Sequence, residues 1–185
     1  PHEFTNLAGN PKYAQVIEEL EKHLSFSYPE IPADGWIEAE LIPAQTSADY
    51  QLRGNCHYTL ADTEASGERL VSALLYGGAG SYIEFIIDLP TAGTYRLEGT
   101  VAMGETCSVF VDDVKNDAAQ ADAGYPMKRI GTLKPSKKLT DVSIGEIHFD
   151  QPGLKIIRFV TEKKQEVKLD RLRLFKRGKL IFQKR

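Results

Sequence analysis

The stretch Tyr82-Ile83-Glu84-Phe85-Ile86-Ile87-Asp88-Leu89, closed by Pro90, decides the fold. Successive side chains of a strand point to opposite faces, so Ile83, Phe85, Ile87 and Leu89 form one apolar row. Tyr82, Glu84, Ile86 and Asp88 form the other. The first row is the core face and the second the outer face, and Pro90 ends the strand because it cannot donate to a ladder. Further along, Leu154, Ile156, Arg158 and Val160 alternate in the same way with Lys155, Ile157 and Phe159.

Working outward from this strand, the runs Thr94 to Ala102, Cys107 to Val111 and Glu166 to Phe175 are rich in Val, Ile, Tyr, Phe and Thr. Turn residues separate the runs: Gly54-Asn55, Ser66-Gly67, Gly77-Gly78, Pro90 to Gly93, Gly104, Asp112-Asp113, Pro135 and Pro152-Gly153. Short strands broken by regular turns predict an all-β protein, an antiparallel β-sandwich. The polar region from Lys115 to Lys138 reads as a loop, and loops carry binding function on rigid sandwiches. The tail Phe175 to Arg185 is basic but interrupted by Leu180, Ile181 and Phe182, and reads as a closing strand.

The first 28 residues differ. Asn10 is an N-cap, Pro11 suits the first helical position, and Tyr13, Ile17, Leu20 and Leu24 share one face, which predicts a single N-terminal α-helix. A lone helix of this length is marginal in water and its apolar face needs a partner. Pro29, Pro32 and Gly35 then mark a linker. The expected organisation is a helical segment over 1–28, a linker over 29–35 and a sandwich over 36–185.

Of the 185 residues, 42% are hydrophobic, enough for a real core, and the net charge of -3 with a pI near 5.9 gives no global attraction for nucleic acid or anionic membrane. No apolar run is long enough to cross a bilayer. Any anion binding must therefore be local. Cys56 and Cys107 lack metal-knuckle spacing and read either as one disulfide or as two separate small buried residues. His2, His23, His57 and His148 are scattered without ligand spacing, and no glycine-rich phosphate loop precedes a helix. The chain opens on Pro1-His2-Glu3 without a methionine, as expected of a segment of a longer protein.

One pattern points to a site. In Ile37-Glu38-Ala39-Glu40 the two carboxylates share a strand face, and a first strand lying beside the last brings Asp170, from Val167-Lys168-Leu169-Asp170, to them. The result is an oxygen-lined pocket.

The N-terminal sequence Pro1-His2-Glu3-Phe4-Thr5-Asn6-Leu7-Ala8, followed by Asn10-Pro11-Lys12-Tyr13-Ala14 and the amphipathic helix, resembles the C-terminal end of bacterial sulfatases of the iduronate-sulfatase-like type. The resemblance implies position rather than chemistry. The sulfatase motif, a Cys or Ser followed by Pro and Arg, is missing, as is the metal-binding aspartate cluster. The fragment is therefore expected to be non-catalytic, with a sulfatase as its full-length parent in the bacterial periplasm or outside the cell.

The ordered set Glu38-Ala39-Glu40, Gly80-Ser81-Tyr82-Ile83-Glu84-Phe85, Leu89-Pro90-Thr91-Ala92-Gly93-Thr94-Tyr95, Pro152-Gly153 and Leu169-Asp170-Arg171-Leu172 is similar to carbohydrate-binding modules of families 6 and 35. That similarity implies a jelly-roll, galactose-binding-like sandwich that binds glycan. It also implies a structural Ca²⁺ held by Glu38, Glu40 and Asp170, whose hard oxygens suit that ion.

The family's sugar site stacks a pyranose between two aromatics and fixes it with an asparagine. Tyr76 matches the first aromatic, Lys168 stands at the asparagine, and Lys128 to Thr140 lacks the second aromatic, a tryptophan. The only tryptophan, Trp36, lies at the start of the sandwich. Lysine at the asparagine position, with Lys128, Arg129, Lys134, Lys137 and Lys138 nearby, favours a sulfated or acidic glycan. The alternative is a structural or assembly domain that packs on the sulfatase catalytic domain and binds no sugar.

Overall fold

The computed structural model describes Gln15 and residues 28–29, 31–47, 56–76, 81–115, 120 and 125–176. The helix expected between Asn10 and Leu24 and the tail beyond Lys176 lie outside the described residues, Gln15 apart. Among those described, eleven strands form two antiparallel sheets: β1 (Trp36–Glu38), β2 (Ala44–Thr46), β3 (Cys56–Ala61), β4 (Arg69–Leu75), β5 (Ser81–Leu89), β6 (Gly93–Met103), β7 (Cys107–Asp113), β8 (Lys128–Leu133), β9 (Ser136–Phe149), β10 (Gly153–Thr161) and β11 (Gln165–Lys176). One sheet runs β3-β4-β11-β6-β9, with β1 also on β11, and the other runs β2-β5-β10-β7-β8. The antiparallel sandwich read from the alternation is the observed fold.

The apolar row Ile83, Phe85, Ile87 and Leu89 is buried in the core between the sheets. There Phe85 meets Phe159 edge to face at 6.0 Å, an arrangement that suits the ring quadrupoles. The opposite row departs from expectation: Asp88 is exposed and Ile86 half-buried, but Tyr82 and Glu84 are buried. Their cover is a polar layer on the outer surface of the sheet. Arg158 Nε lies 2.7 Å from Glu84 Oε2, and its guanidinium sits 3.9 Å from the Tyr82 ring centre. The Gln45 side-chain amide donates to Glu84 Oε1, and Arg158 Nη2 donates to the Gln120 carbonyl at 2.6 Å. Gln120 is itself held by Lys115 N (2.8 Å) and Asp113 O (2.7 Å).

The loop expected from Lys115 to Lys138 needs correction. Residues 128–149 are β8 and β9, and Lys134-Pro135 carries the chain from one sheet to the other. Gly131 and Gly145 make this crossing: a Cβ on Gly131 would stand 2.0 Å from Ile144 O, and one on Gly145 2.3 Å from Ile130 O. The charged residues had hidden the strands, because Lys128, Arg129, Lys137 and Lys138 are exposed and leave only Leu133, Ile144, Ile147 and Phe149 to mark the inner face.

Cys56 is exposed and Cys107 buried, and both thiols are free, so neither the disulfide nor a pair of buried residues holds. Burial pushes the Cys107 thiol up to about 12. Among the described residues no helix is long and apolar enough to cross a membrane. Ile31 packs on the core, and Gly35 O accepts from Leu174 N at 3.1 Å, so the proline-rich entry is bonded to β11.

Because Arg158 and Glu84 are both buried, removing one leaves a charge without its counter-ion. Glu84→Ala or Arg158→Met should each cost about 3–5 kcal/mol in urea unfolding, and replacing both by apolar residues should cost less than either alone.

Candidate functional site

The clasp predicted from the acid pair forms at a break in β11. On one edge of that strand β4 pairs with Gln165 to Leu169 and β1 with Arg171 to Arg173, so the two short strands lie end to end beside it. On the other edge the register with β6 slips between Leu169 and Arg171, which makes Asp170 the extra residue of a bulge. Its side chain is buried at 2% exposure and meets the turn before β4. Asp170 Oδ1 accepts from Ser66 N at 2.9 Å and from Ser66 Oγ at 3.1 Å, and Ser66 Oγ is 2.6 Å from Glu38 Oε2.

Glu40 sits in a 3-10 turn, Ala39–Leu41, rather than in the strand, yet it reaches the same place. A Cβ on Gly67 would lie 3.4 Å from Glu40 Oε1 and 3.6 Å from Glu38 Oε2. The other oxygen, Glu40 Oε2, is buried without a hydrogen-bond partner. Desolvation raises the Glu40 pKa most; its backbone hydrogen bond opposes this, the charges of Glu38 and then Asp170 raise it further, and Arg69 lowers it least.

This donor chemistry fits a hard cation. Among the described residues, however, no cluster of three Asp, Glu, His or Cys side chains is drawn tightly enough to hold an ion as it stands. The Ser66 hydroxyl stands between Glu38 and Asp170.

The sugar-site residues lie at the end of the sandwich where β4 leads to β5, β6 to β7, β8 to β9 and β10 to β11. Tyr76 and Lys168 are both on the outer face of the first sheet but do not meet. Lys164 Nζ lies 4.7 Å from the Tyr76 ring centre, whereas Lys168 stands four residues further along, about 13 Å at strand rise. Lys168 instead lines a cleft of about 430 Å³ with Lys137, Lys164, Gln165, Glu166 and Glu105.

A second cleft, of about 410 Å³, opens on the outer face of the other sheet. Phe110 and Val160 line it with Thr106, Ser108, Thr132, Arg129 and Glu162. The turns that separate the two clefts are tied by Lys163 Nζ to Glu105 Oε2 at 3.0 Å and by Glu105 N to Gln165 Oε1 at 2.9 Å. Among the described residues around this end, Arg129, Lys134, Lys137, Lys138, Lys163, Lys164 and Lys168 outnumber Glu105, Glu162 and Glu166 by four charges, in a chain of net charge -3. Lys128 lies at the far end of β8 and is not among them.

The Phe110 cleft went unseen in the sequence, because Cys107-Ser108-Val109-Phe110-Val111 is apolar enough for every member to read as core. Its alternation was the available signal: Cys107, Val109 and Val111 face inward, so Phe110 faces outward. The bulge had a signal too. Inward residues run Val167, Leu169 and then Leu172, Leu174, a one-residue slip that falls at Asp170.

No family model matches the chain, and no curated protein matches it. Among solved structures, similarity extends to a Paenibacillus xanthan lyase (20% identity, TM-score 0.57, covering 82% of this chain and 14% of that one). It extends also to the CBM22-1 and GH10 modules of Clostridium thermocellum endo-1,4-β-D-xylanase 10B complexed with xylohexaose (13% identity, TM-score 0.52, 82% and 28%). A family 61 carbohydrate-binding module complexed with β-1,4-galactotriose aligns at 16% identity and a TM-score of 0.47, covering 72% and 88%. The chain thus spans about a seventh and just over a quarter of the first two. The likeness is one of fold, a β-sandwich.

Ser66→Ala removes the one side chain that bridges Glu38 and Asp170, leaving a buried carboxylate short of a donor. A loss of about 1–3 kcal/mol in unfolding free energy is expected in calcium-free buffer.

Proposed function

We propose that this chain is a non-catalytic glycan-binding module that holds an anionic polysaccharide, sulfated or uronic, across the loop end of its sandwich. The observation that carries this reading is the pair of clefts on either side of the Lys163–Glu105 bridge, one lined by lysines and one floored by Phe110. Phe110 offers a ring face to the C–H face of a pyranose, and Thr106, Ser108 and Thr132 offer hydroxyls at its edge. Lys137, Lys164 and Lys168 offer ammonium donors to sulfate or carboxylate oxygens.

Tyr76 contributes differently from the paired-aromatic arrangement. Lys164 lies over its ring, which orients that ammonium, and cation–π attraction holds it there. Family 6 or 35 membership and a place behind a sulfatase catalytic domain, in the periplasm or outside the cell, remain part of this proposal and rest on the sequence resemblances. The xylohexaose complex and the xanthan lyase, each of which contains a portion of like fold, support a polysaccharide ligand.

Calorimetric titration with neutral and sulfated oligosaccharides of equal length tests the reading. Lys164→Ala with Lys168→Ala should weaken the sulfated ligand about tenfold, a loss of about 1.4 kcal/mol, and leave neutral ligands little changed, while Phe110→Ala weakens both. If no glycan binds, the assembly-domain alternative replaces this one.

We propose further that Glu38, Glu40 and Asp170 hold a structural Ca²⁺, which would neutralise the orphaned Glu40 oxygen and the repulsion among the three carboxylates. Calcium at about 100 times its dissociation constant should raise the melting temperature by about 5–10 °C over chelator. Asp170→Ala should abolish that difference; an unchanged melting temperature in the parent chain rejects the ion.

A further inference from the structure

The Phe110 cleft holds an arginine unlike others on the outer faces of the sandwich. Arg96, Arg158, Arg171 and Arg173 each stand beside a carboxylate. Arg129 is exposed, its Nη2 donates to the Thr132 hydroxyl, and among the described residues it meets no carboxylate.

A bulge sets this position. Residues three apart on an unbroken strand face opposite ways. In β8, however, Gly131 pairs with Val109 of β7 and Arg129 with Phe110, so Ile130 is an extra residue. Ile130 packs against the core, which brings Arg129 and Thr132 to the outer face together, opposite Phe110 and Ser108. The Thr132 hydroxyl then fixes the guanidinium on the side of the cleft floored by Phe110, and only one of its five N–H donors is used in doing so.

The carboxylates of the cleft lie at its other end. Val160 stands opposite Ser108, and Glu162 follows two residues on, past the end of β10, while Glu105 is held by Lys163 Nζ. The end at Phe110 therefore carries an unneutralised positive charge.

We propose that the acidic sugar seated on Phe110 is a hexuronate whose carboxylate is read by Arg129. The inference rests on the glycan reading above and narrows it to one anion. Directly opposed residues of neighbouring strands have Cα atoms about 4.5–5.5 Å apart, so a group that reaches Arg129 from a ring stacked on Phe110 lies at that ring's own edge. A uronate carboxylate is bonded directly to a ring carbon, whereas a sulfate is carried one ester oxygen further out. The planar carboxylate also matches the planar guanidinium through two parallel hydrogen bonds. Glu162, Ser108 and Thr106 remain for the sugar's hydroxyls.

Calorimetric titration of the full chain with hexasaccharides of galacturonate, glucuronate and mannuronate, each beside its carboxyl-reduced counterpart, tests this assignment. The unaltered chain should bind at least one uronate about tenfold more tightly than the reduced form, and Arg129→Ala should bring the two affinities together by weakening the uronate alone. Arg129→Lys should recover only part of the difference, because an ammonium keeps the charge and loses the fork. Equal binding of every pair, binding of sulfated oligosaccharides only, or a preference that survives Arg129→Ala overturns the inference and leaves the glycan reading standing. Binding of no oligosaccharide, uronate, sulfated or neutral, removes both.

Discussion

The last strand must serve two partners on one edge, and the bulge at Asp170 is what allows it. Both β4 and β1 are too short to cover β11 alone, and they meet end to end beside it. A continuous ladder across that junction would leave backbone groups facing a gap. The extra residue instead turns a carboxylate toward the junction, where the Ser66 amide and hydroxyl satisfy it. The first strand of the sandwich, the turn before β4 and the last strand are thereby tied at one point. The bulge also reverses which residues of β11 face inward, so that Leu172 and Leu174 enter the core beyond it and Arg171 and Arg173 face out.

A second constraint decides which surfaces remain for ligands. The outer face of the β2-β5-β10-β7-β8 sheet has an ion pair at its centre, roofed by Gln45 and Gln120, and a buried charge pair of this kind needs its polar cover. A polysaccharide chain cannot displace that cover without stranding Arg158 and Glu84. Open space lies beside that cover, where Phe110 stands across from Arg158 and Val160 across from Tyr82. The Phe110 cleft follows from that boundary as much as from the loops themselves.

Much of this was legible where one physical signal dominated. Tyr82 to Leu89 announced a strand and its core face because burial on one side imposes a period of two, and Glu38 met Asp170 because the first strand pairs with the last. The signals failed where two demands overlapped. Glu84 was read onto the outer face, and Arg158 meets it there, yet both are buried by segments distant in sequence, which no local pattern encodes. Residues 128–149 hid their strands because two edge strands, one in each sheet, with polar outer faces and a glycine crossing have little alternation to show. Tyr76 and Lys168 were read as parts of one sugar site, whereas Lys168 stands about 13 Å of strand beyond Lys164, the residue over the Tyr76 ring, because a motif conveys order along the chain and not spacing in the fold.

The same strand and the turn before it therefore carry three separable features: Lys164 and Lys168 at the loop end, the carboxylate clasp at Asp170, and the arginine–aromatic face from Arg171 to Phe175. Their separation has a physical cause. Lys168 points outward and Asp170 is turned into the bulge, so a change of charge at one is shielded from the other by Leu169 in the core and by the backbone between them. A change of side chain at Lys168 therefore leaves the clasp and the core packing intact while altering what the outer cleft attracts. Substitution within the clasp would instead loosen β1 and β4 from β11, and with them the platform under both ligand-facing surfaces. Ligand chemistry on this sandwich is free to diverge along the outward row of β11, and the bulge that sets that row's direction is not.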